Sequence, residues 1–374
     1  MYDIAIIGAG INGCSVAYEL AKSGKGVVVF DEISIGGGGS GAAGAFISPK
    51  FSKSGELKEL LNDSFVYSMD FYEKNFSKYL SKTSLLHIAQ DEKSSNVLKL
   101  YKSFTKLKLK TPSDKVLNSL SKEAKEKENI YLDAGIVNSQ AICNSMLKSS
   151  QFIKERIEDL SFDDDIWILN KTYKAKQLVL ATGAYKTLLN EPYINLRGIW
   201  GHRIEIKTST KNEVSIHQFV SISPSKDGVI SIGATHNVHF HPQINKEPYN
   251  LKEGRAELLE KASRTIKLED IEIIKDYTGL RSGSVDYLPL LGRVVDSKKT
   301  LSNKKINFQL KKVNFDDYNY YENLYMINGS AGYGFVLAPY LAKMLKEHIV
   351  ESKEIDKKLN PARFFSRWAR KYKN

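Results

Sequence analysis

Two cysteines, Cys14 and Cys143, are all that this 374-residue chain offers for cross-linking. No disulfide framework can hold a chain of that length, and two buried thiols are the simpler expectation. Long apolar runs are missing as well. The longest, such as 27–30, are strand-sized, whereas a helix that crosses a bilayer needs roughly 18 to 20 apolar residues. The first strand begins at residue 2 without a basic leader or a cleavage site, so no secretory signal is read and a cytoplasmic location is expected. Low complexity is confined to the glycine run 36–39, and no internal repeat is present. Acid is in short supply: 43 Asp and Glu against 55 Lys and Arg give a formal net charge of +12, which favours polyanionic partners and salt-sensitive binding. Scattered lysines are ordinary solvated surface, but Lys353, Lys357, Lys358, Arg363, Arg367, Arg370, Lys371 and Lys373 crowd the C-terminus.

What is present is an ordinary globular composition, 42% hydrophobic and 26% charged, in a chain long enough for two connected domains. Residues 4–7 are apolar and run into Gly8; 14–23 favour a helix; 27–30 form a second apolar run ending in Asp31. That order is a β-α-β unit. From 56 to 127 the pattern turns helical and lysine-rich, read as a covering helix plus an inserted region. Strand character returns at 166–169 and 177–181, then at 203–208, 218–223 and 228–233, the last three reading as antiparallel. A helix over 336–350 closes the pattern.

Gly8, Gly10 and Gly13 spell G-x-G-x-x-G between that strand and helix, the context in which the motif binds a dinucleotide. The glycines allow a tight turn, close approach to a pyrophosphate and close helix–strand packing, while the helix N-terminus favours phosphate charge. Asp31, followed by Glu32, ends the second strand where a carboxylate accepts hydrogen bonds from ribose hydroxyls. The motif alone does not choose between FAD and NAD. Gly329, Gly332 and Gly334, around Tyr333, precede the last helix and can present free amides to negative charge.

Beyond Asp31 the run 36–44, GGGGSGAAG, leads into 45–49, and this resembles the second FAD-binding segment of the D-amino-acid oxidase and glycine oxidase superfamily. Further segments agree in order: 178–185 (LVLATGAY), 278–292 (TGLRSGSVDYLPLLG, with Ser282 where proline is usual) and 328–339. The resemblance implies an α/β fold, a Rossmann-like FAD-binding domain (1–80, 131–197 and 278–374) with an inserted substrate domain built on an antiparallel sheet, α+β (81–130 and 198–277). It implies non-covalent FAD held by Gly8, Gly10, Gly13, Asp31, Glu32, Ser40, Ala43, Gly44, Ala181, Gly183, Gly329, Gly332, Tyr333 and Gly334. It also implies that Arg281 forks the carboxylate of an amine substrate; a structural arginine paired to Asp286 is the alternative. The implied chemistry is hydride loss from the carbon beside the carboxylate, giving an imine that water hydrolyses.

The ending 359–367, LNPARFFSR, is similar to the N-P-x-R-[LF]-x-x-R close of the FAD-dependent module of the tRNA wobble-uridine modifying enzymes. With the basic tail, this makes tRNA the expected macromolecular substrate, the 5-carboxymethylaminomethyl group its reacting part and glyoxylate a product. Ala331 departs from that pattern, where arginine is usual. A free amino acid (glycine, sarcosine or a D-amino acid) and a flavin-containing RNA-binding protein without turnover are the other readings. His202 is read as structural. His236, His239 and His241 lack the accompanying ligands of a zinc site and are read as a polar strand edge, so no metal is expected. The sequence is silent on the oligomeric state and on the electron acceptor.

Overall fold

The computed structural model describes residues 1–185, 189, 191–303, 306, 308 and 313–372. The chain divides into two compact units, one of residues 1–38, 143–198 and 281–374, the other of 39–142 and 199–280. Among the described residues, no helix is long and apolar enough to cross a membrane, and both cysteines are free and buried.

The first unit is built on a sheet in the strand order Leu290–Val295, Tyr320–Asn328, Tyr173–Leu180, Tyr2–Ile7, Val27–Asp31, Gln151–Lys154. All of these pair in parallel except the Leu290–Val295 edge, which runs antiparallel to its neighbour. Ile4, Ala5, Ile6, Val28, Val29, Phe30, Leu178, Val179 and Leu180 are fully buried, which is the continuous apolar character of strands covered on both faces. The helices Ile11–Lys22 and Gly334–Glu351 pack against each other. A second cluster of the same unit gathers Tyr193, Val295, Phe308 and Tyr318 around the C-terminal residues Phe365 and Ala369.

The second unit holds a sheet ordered Glu272–Ser284, Leu196–Lys207, Val229–Gly233, Ser221–Ile222, Ser215–His217, Leu80–Ile88, Asn129–Val137, Phe46–Ile47. From Leu196–Lys207 to Phe46–Ile47 neighbouring strands pair antiparallel, apart from Ser215–His217 against Leu80–Ile88, which is parallel. One face carries Ile204, Ile206, Ile216, Ile222, Ile230 and Ile232 into a core shared with Leu258 and Ala262 of the helix Leu251–Ser263. The alternate face carries the polar side chains Arg203, Glu205 and Ser231, as the period of two requires.

Two expectations are corrected. The stretch 56–127 is not helical throughout: after the helix Glu56–Phe76 it contains the strand Leu80–Ile88, whose partner Asn129–Val137 lies some forty residues on, out of reach of any local pattern. The run 218–223 is interrupted, with strands only at Ser215–His217 and Ser221–Ile222.

Phe365 is fully buried with its ring about Tyr193 (5.2 Å), Tyr318 (5.0 Å) and Phe308 (5.7 Å). Removing an aromatic ring from such a site costs about 3–5 kcal/mol. Phe365→Ala is therefore expected to lower the urea midpoint with little change in slope, and a midpoint equal to wild type would show that the C-terminal segment adds nothing to this core.

Candidate functional site

Three neighbouring parallel strands of the first unit end level with one another, and each ends in a glycine turn. Gly8 follows Tyr2–Ile7, Gly183 follows Tyr173–Leu180 and Gly329 follows Tyr320–Asn328, with φ of +106°, +66° and +76°. A crevice beyond the carboxyl ends of parallel strands is where open α/β sheets bind ligands. The turns could not be built from other residues: a Cβ on Gly8 would meet the Ala181 carbonyl oxygen at 2.3 Å, and one on Gly13 the Gly8 oxygen at 1.9 Å.

Gly10 is the N-cap of the helix Ile11–Lys22 and Tyr333 that of Gly334–Glu351; neither end has a side-chain cap. Both therefore keep backbone amides and positive dipole ends for an anion. The two ends are close, since a Cβ on Gly334 would lie 3.1 Å from the Ile11 side chain and the Ser330 hydroxyl donates to Asn12 Oδ1 at 3.1 Å. Asp31 ends the second strand, where its carboxylate accepts from the amides of Ala9 (2.9 Å), Ile33 (2.9 Å) and Ser34 (3.3 Å). It thus pins the glycine loop while leaving lone pairs for a diol. Glu32, beside it, pairs at the surface with Arg156 at 3.4 Å.

Asn328, fully buried, was not singled out by the sequence and ties these turns together. Its Nδ2 donates to the Gly183 oxygen (2.9 Å), and its Oδ1 accepts from the Ser282 hydroxyl (3.0 Å) and the Gly329 amide (2.8 Å). Ser282 thus fills a hydrogen-bonding role at the position where proline is usual. Its neighbour Gly283 bridges to Ser330, which brings Arg281 to the closing turn: Arg281 Nη1 is 3.8 Å from where a Cβ of Gly332 would stand. Burial pulls the Arg281 guanidinium below its usual range. Ala331 holds a left-handed backbone, φ +48°, without being glycine, a local strain of the kind that collects at functional sites.

The carboxylate of Asp286 is forked by a different cation. Arg363 donates from Nε (2.8 Å) and Nη2 (3.0 Å) to Asp286, and further to the carbonyl oxygens of Leu288, Leu359 and Asn360. Burial works to raise the Asp286 carboxyl, but Arg363 outweighs it and the group is held below its ordinary value.

Ser40, Ala43 and Gly44 belong to the second unit. There the Ala43 amide donates to the Ser40 oxygen at 3.2 Å, and Gly44 packs beside the Phe46 ring. Arg203, also missed in the sequence, anchors this loop. It donates to the Ala42 oxygen (3.1 Å), Glu205 (2.9 Å) and Ser231 (2.8 Å), and stacks 3.7 Å above the Tyr277 ring.

His202 is fully buried, with Nε2 2.8 Å from Asp276 Oδ1. The expectation of a strand edge at His236, His239 and His241 is corrected. The stretch is a turn, because the side chains of Asn237 and Asn245 take the amides of His239 and His241, and such local bonds compete with a strand ladder. Among the described residues, no group of three or more His, Cys, Asp or Glu could hold a metal ion.

Two helix ends without side-chain caps, three glycine turns at neighbouring strand ends and a strand-end carboxylate define a dinucleotide-binding protein, and the residues present fit FAD. Residues 3–348 match the family model DAO, FAD dependent oxidoreductase, and the chain belongs to that family. It is 24% identical, over 96% of its length, to the tRNA 5-methylaminomethyl-2-thiouridine biosynthesis bifunctional protein MnmC of Legionella pneumophila (strain Philadelphia 1), of which the match covers 56%. It is 23% identical to glycine oxidase of Bacillus subtilis (strain 168), over 80% of this chain and 86% of that one. The chain thus spans little more than half the length of the MnmC relatives it matches. Among solved structures, glycine oxidase from Geobacillus kaustophilus superposes with a TM-score of 0.75 at 18% identity, covering 97% of this chain and 98% of the other. The fold is therefore the one expected: a Rossmann-like FAD-binding domain with an inserted α+β substrate domain.

Asp276 also accepts from Arg255 Nε at 2.9 Å, and Arg255 is the main reason its carboxyl is held below the ordinary carboxylate value. A depressed folded pKa contributes stability that is present above the unfolded pKa and is lost as pH falls through the folded one. Thermal midpoints followed from pH 6 down to about pH 2 are expected to fall less steeply in Asp276→Asn than in wild type below about pH 4. Parallel curves would remove Asp276 from the acid-sensitive set.

Proposed function

We propose that this flavoenzyme oxidises the carbon–nitrogen bond of an amine bearing a carboxylate, and that its substrate is the 5-carboxymethylaminomethyl group of tRNA wobble uridine, from which glyoxylate is released. The observation that carries the reading is the half-buried Arg281 guanidinium beside Gly332 of the closing turn. A planar guanidinium matches a carboxylate with two parallel hydrogen bonds, and burial strengthens that contact by excluding competing water. Gly332 keeps the space next to the guanidinium clear of a side chain. Asn328, through Ser282 and Gly329, fixes the strand that presents Arg281 and the turn that faces it.

FAD, bound without a covalent link, supplies the acceptor for the two electrons of the oxidation. The protein's part is orientation: Arg281 holds the carboxylate and so sets the position of the adjacent carbon, and no protein nucleophile is needed. The relatives named MnmC support the tRNA substrate, as do the net charge of +12 and the basic C-terminal residues. One observation favours a second reading, a free amino acid such as glycine or sarcosine: the identity to glycine oxidase of Bacillus subtilis, 23%, is nearly that to MnmC, 24%.

Nucleoside mass spectrometry of tRNA before and after incubation separates the two. Loss of 5-carboxymethylaminomethyluridine with gain of the shortened amine is expected; flavin reduction by glycine or sarcosine alone, with the tRNA unchanged, would overturn the tRNA substrate. Arg281→Met is expected to raise KM for the accepted substrate about tenfold to a hundredfold, the worth of a charge-assisted fork, while flavin content is retained. An unchanged KM would take Arg281 out of carboxylate binding.

A further inference from the structure

The basic residues of the C-terminus do not act alike. Arg363 is consumed by Asp286, and Lys353 pairs with Glu347 (3.4 Å) and Glu351 (3.0 Å). Lys373 lies outside the described residues. Lys357 and Lys358 lie exposed in a turn, and the helix Phe365–Tyr372 carries Arg367, Arg370 and Lys371. Its Phe365 and Ala369 are buried, which turns a different face outward. Trp368 and Tyr372, one turn apart, stack with ring centroids 5.1 Å apart and planes 29° from parallel, and Tyr372 is 67% exposed. Arg367 and Lys371, each one position before these rings, are exposed and likewise one turn apart.

Two stripes therefore run side by side along the helix, one aromatic and one cationic. Trp368 also packs on the core, 5.5 Å from the Phe365 ring, but the exposed Tyr372 ring and the two cations do little for the fold. Like charges at i and i+4 weaken a helix by a few tenths of a kcal/mol, and an exposed aromatic ring gains little from burial. Arg370, half-buried, adds a third cation and donates to the Ser366 oxygen at 3.3 Å. The opposing charges nearby are Asp316 and Asp317, on the turn before Tyr318. Faces on which bases stack, alternating with cations that meet phosphates, are what single-stranded nucleic acid requires.

We infer that the helix Phe365–Tyr372 is an RNA-docking surface, on which a single-stranded loop lays a base against Tyr372 and its phosphates against Arg367 and Lys371. This deepens the tRNA reading above and rests on it, because the wobble uridine lies in such a loop and unstacked bases are what proteins reach in RNA.

The test is fluorescence anisotropy with a fluorescein-labelled anticodon stem-loop, using the flavin-loaded protein across a range of salt. Flavin absorbance serves as the check that each variant is intact. Arg367→Glu combined with Lys371→Glu is expected to weaken binding about tenfold or more and to reduce the salt slope by about 1.4, at roughly 0.7 per lost single-strand contact. Tyr372→Ala is expected to weaken stem-loop binding about fivefold or more while leaving binding of heparin, a polyanion without bases, unchanged. Equal loss of stem-loop and heparin binding by Tyr372→Ala would overturn base stacking. Wild-type affinity in the charge variant would overturn the docking surface, and the tRNA reading would stand if the wild type still converts the nucleoside in tRNA. A wild type that neither binds the stem-loop nor converts tRNA removes both.

Discussion

The carboxamide of Asn328 is the constraint on which the candidate site depends. Buried and hydrogen-bonded to Gly183, Ser282 and Gly329, it joins the turns at the ends of two neighbouring parallel strands to the strand that carries Arg281. An amide suits this place because it donates from one end and accepts at the other, and both functions are used. An aspartate could not donate to the Gly183 carbonyl and would add an unpaired charge where no water reaches. The glycine turns supply the backbone shapes a dinucleotide needs, but a shape at each strand end is not yet a site; the three must keep their mutual spacing. Ser330 on Asn12 and Gly334 against Ile11 extend the same registration to the two helix N-termini.

The acidic partner of the segment is settled by a second long-range contact. Asp286 stands five positions after Arg281, near enough in sequence for the two to be read as a pair, yet its carboxylate is forked by Arg363 from the far end of the chain. Arg363 also ties down three carbonyl oxygens, so one guanidinium closes the C-terminal turn and the turn after Arg281 together. The N-P-A-R run is therefore architectural. This separates two properties that the sequence runs together, a motif that fastens the C-terminus and a basic composition that faces outward; Arg363 serves the first, while Lys357, Lys358, Arg367 and Lys371 are exposed.

Local signals were readable in the sequence and distant ones were not. The G-x-G-x-x-G turn, the acid at the end of the second strand and the closing glycine helix each lie within a few residues of one another, and the pattern of apolar residues marks the buried strands directly. Asn328 bonds to partners 46 and 145 positions away and Ser330 to one 318 away, so no spacing rule reveals them. The strand Leu80–Ile88 escaped notice because its lysine and serines face outward in a lysine-rich neighbourhood. At His239 and His241 an alternating pattern suggested a strand, but asparagines two and four positions away capture the backbone first.

The same contrast bears on how Arg281 can work. A guanidinium in a buried place is costly because it leaves water behind, and a carboxylate offered as a fork compensates for that cost better than a single hydrogen bond does. Were Arg281 bound to its near neighbour Asp286, a substrate carboxylate would have to displace an intramolecular one held at high effective concentration. Assigning Asp286 to Arg363 removes that competitor without removing its charge from the turn, where it still orders Ser284 and Leu288. On the proposed carboxylate-binding role of Arg281, the remote Arg363 matters because it, and not Arg281, forks the nearby Asp286 carboxylate.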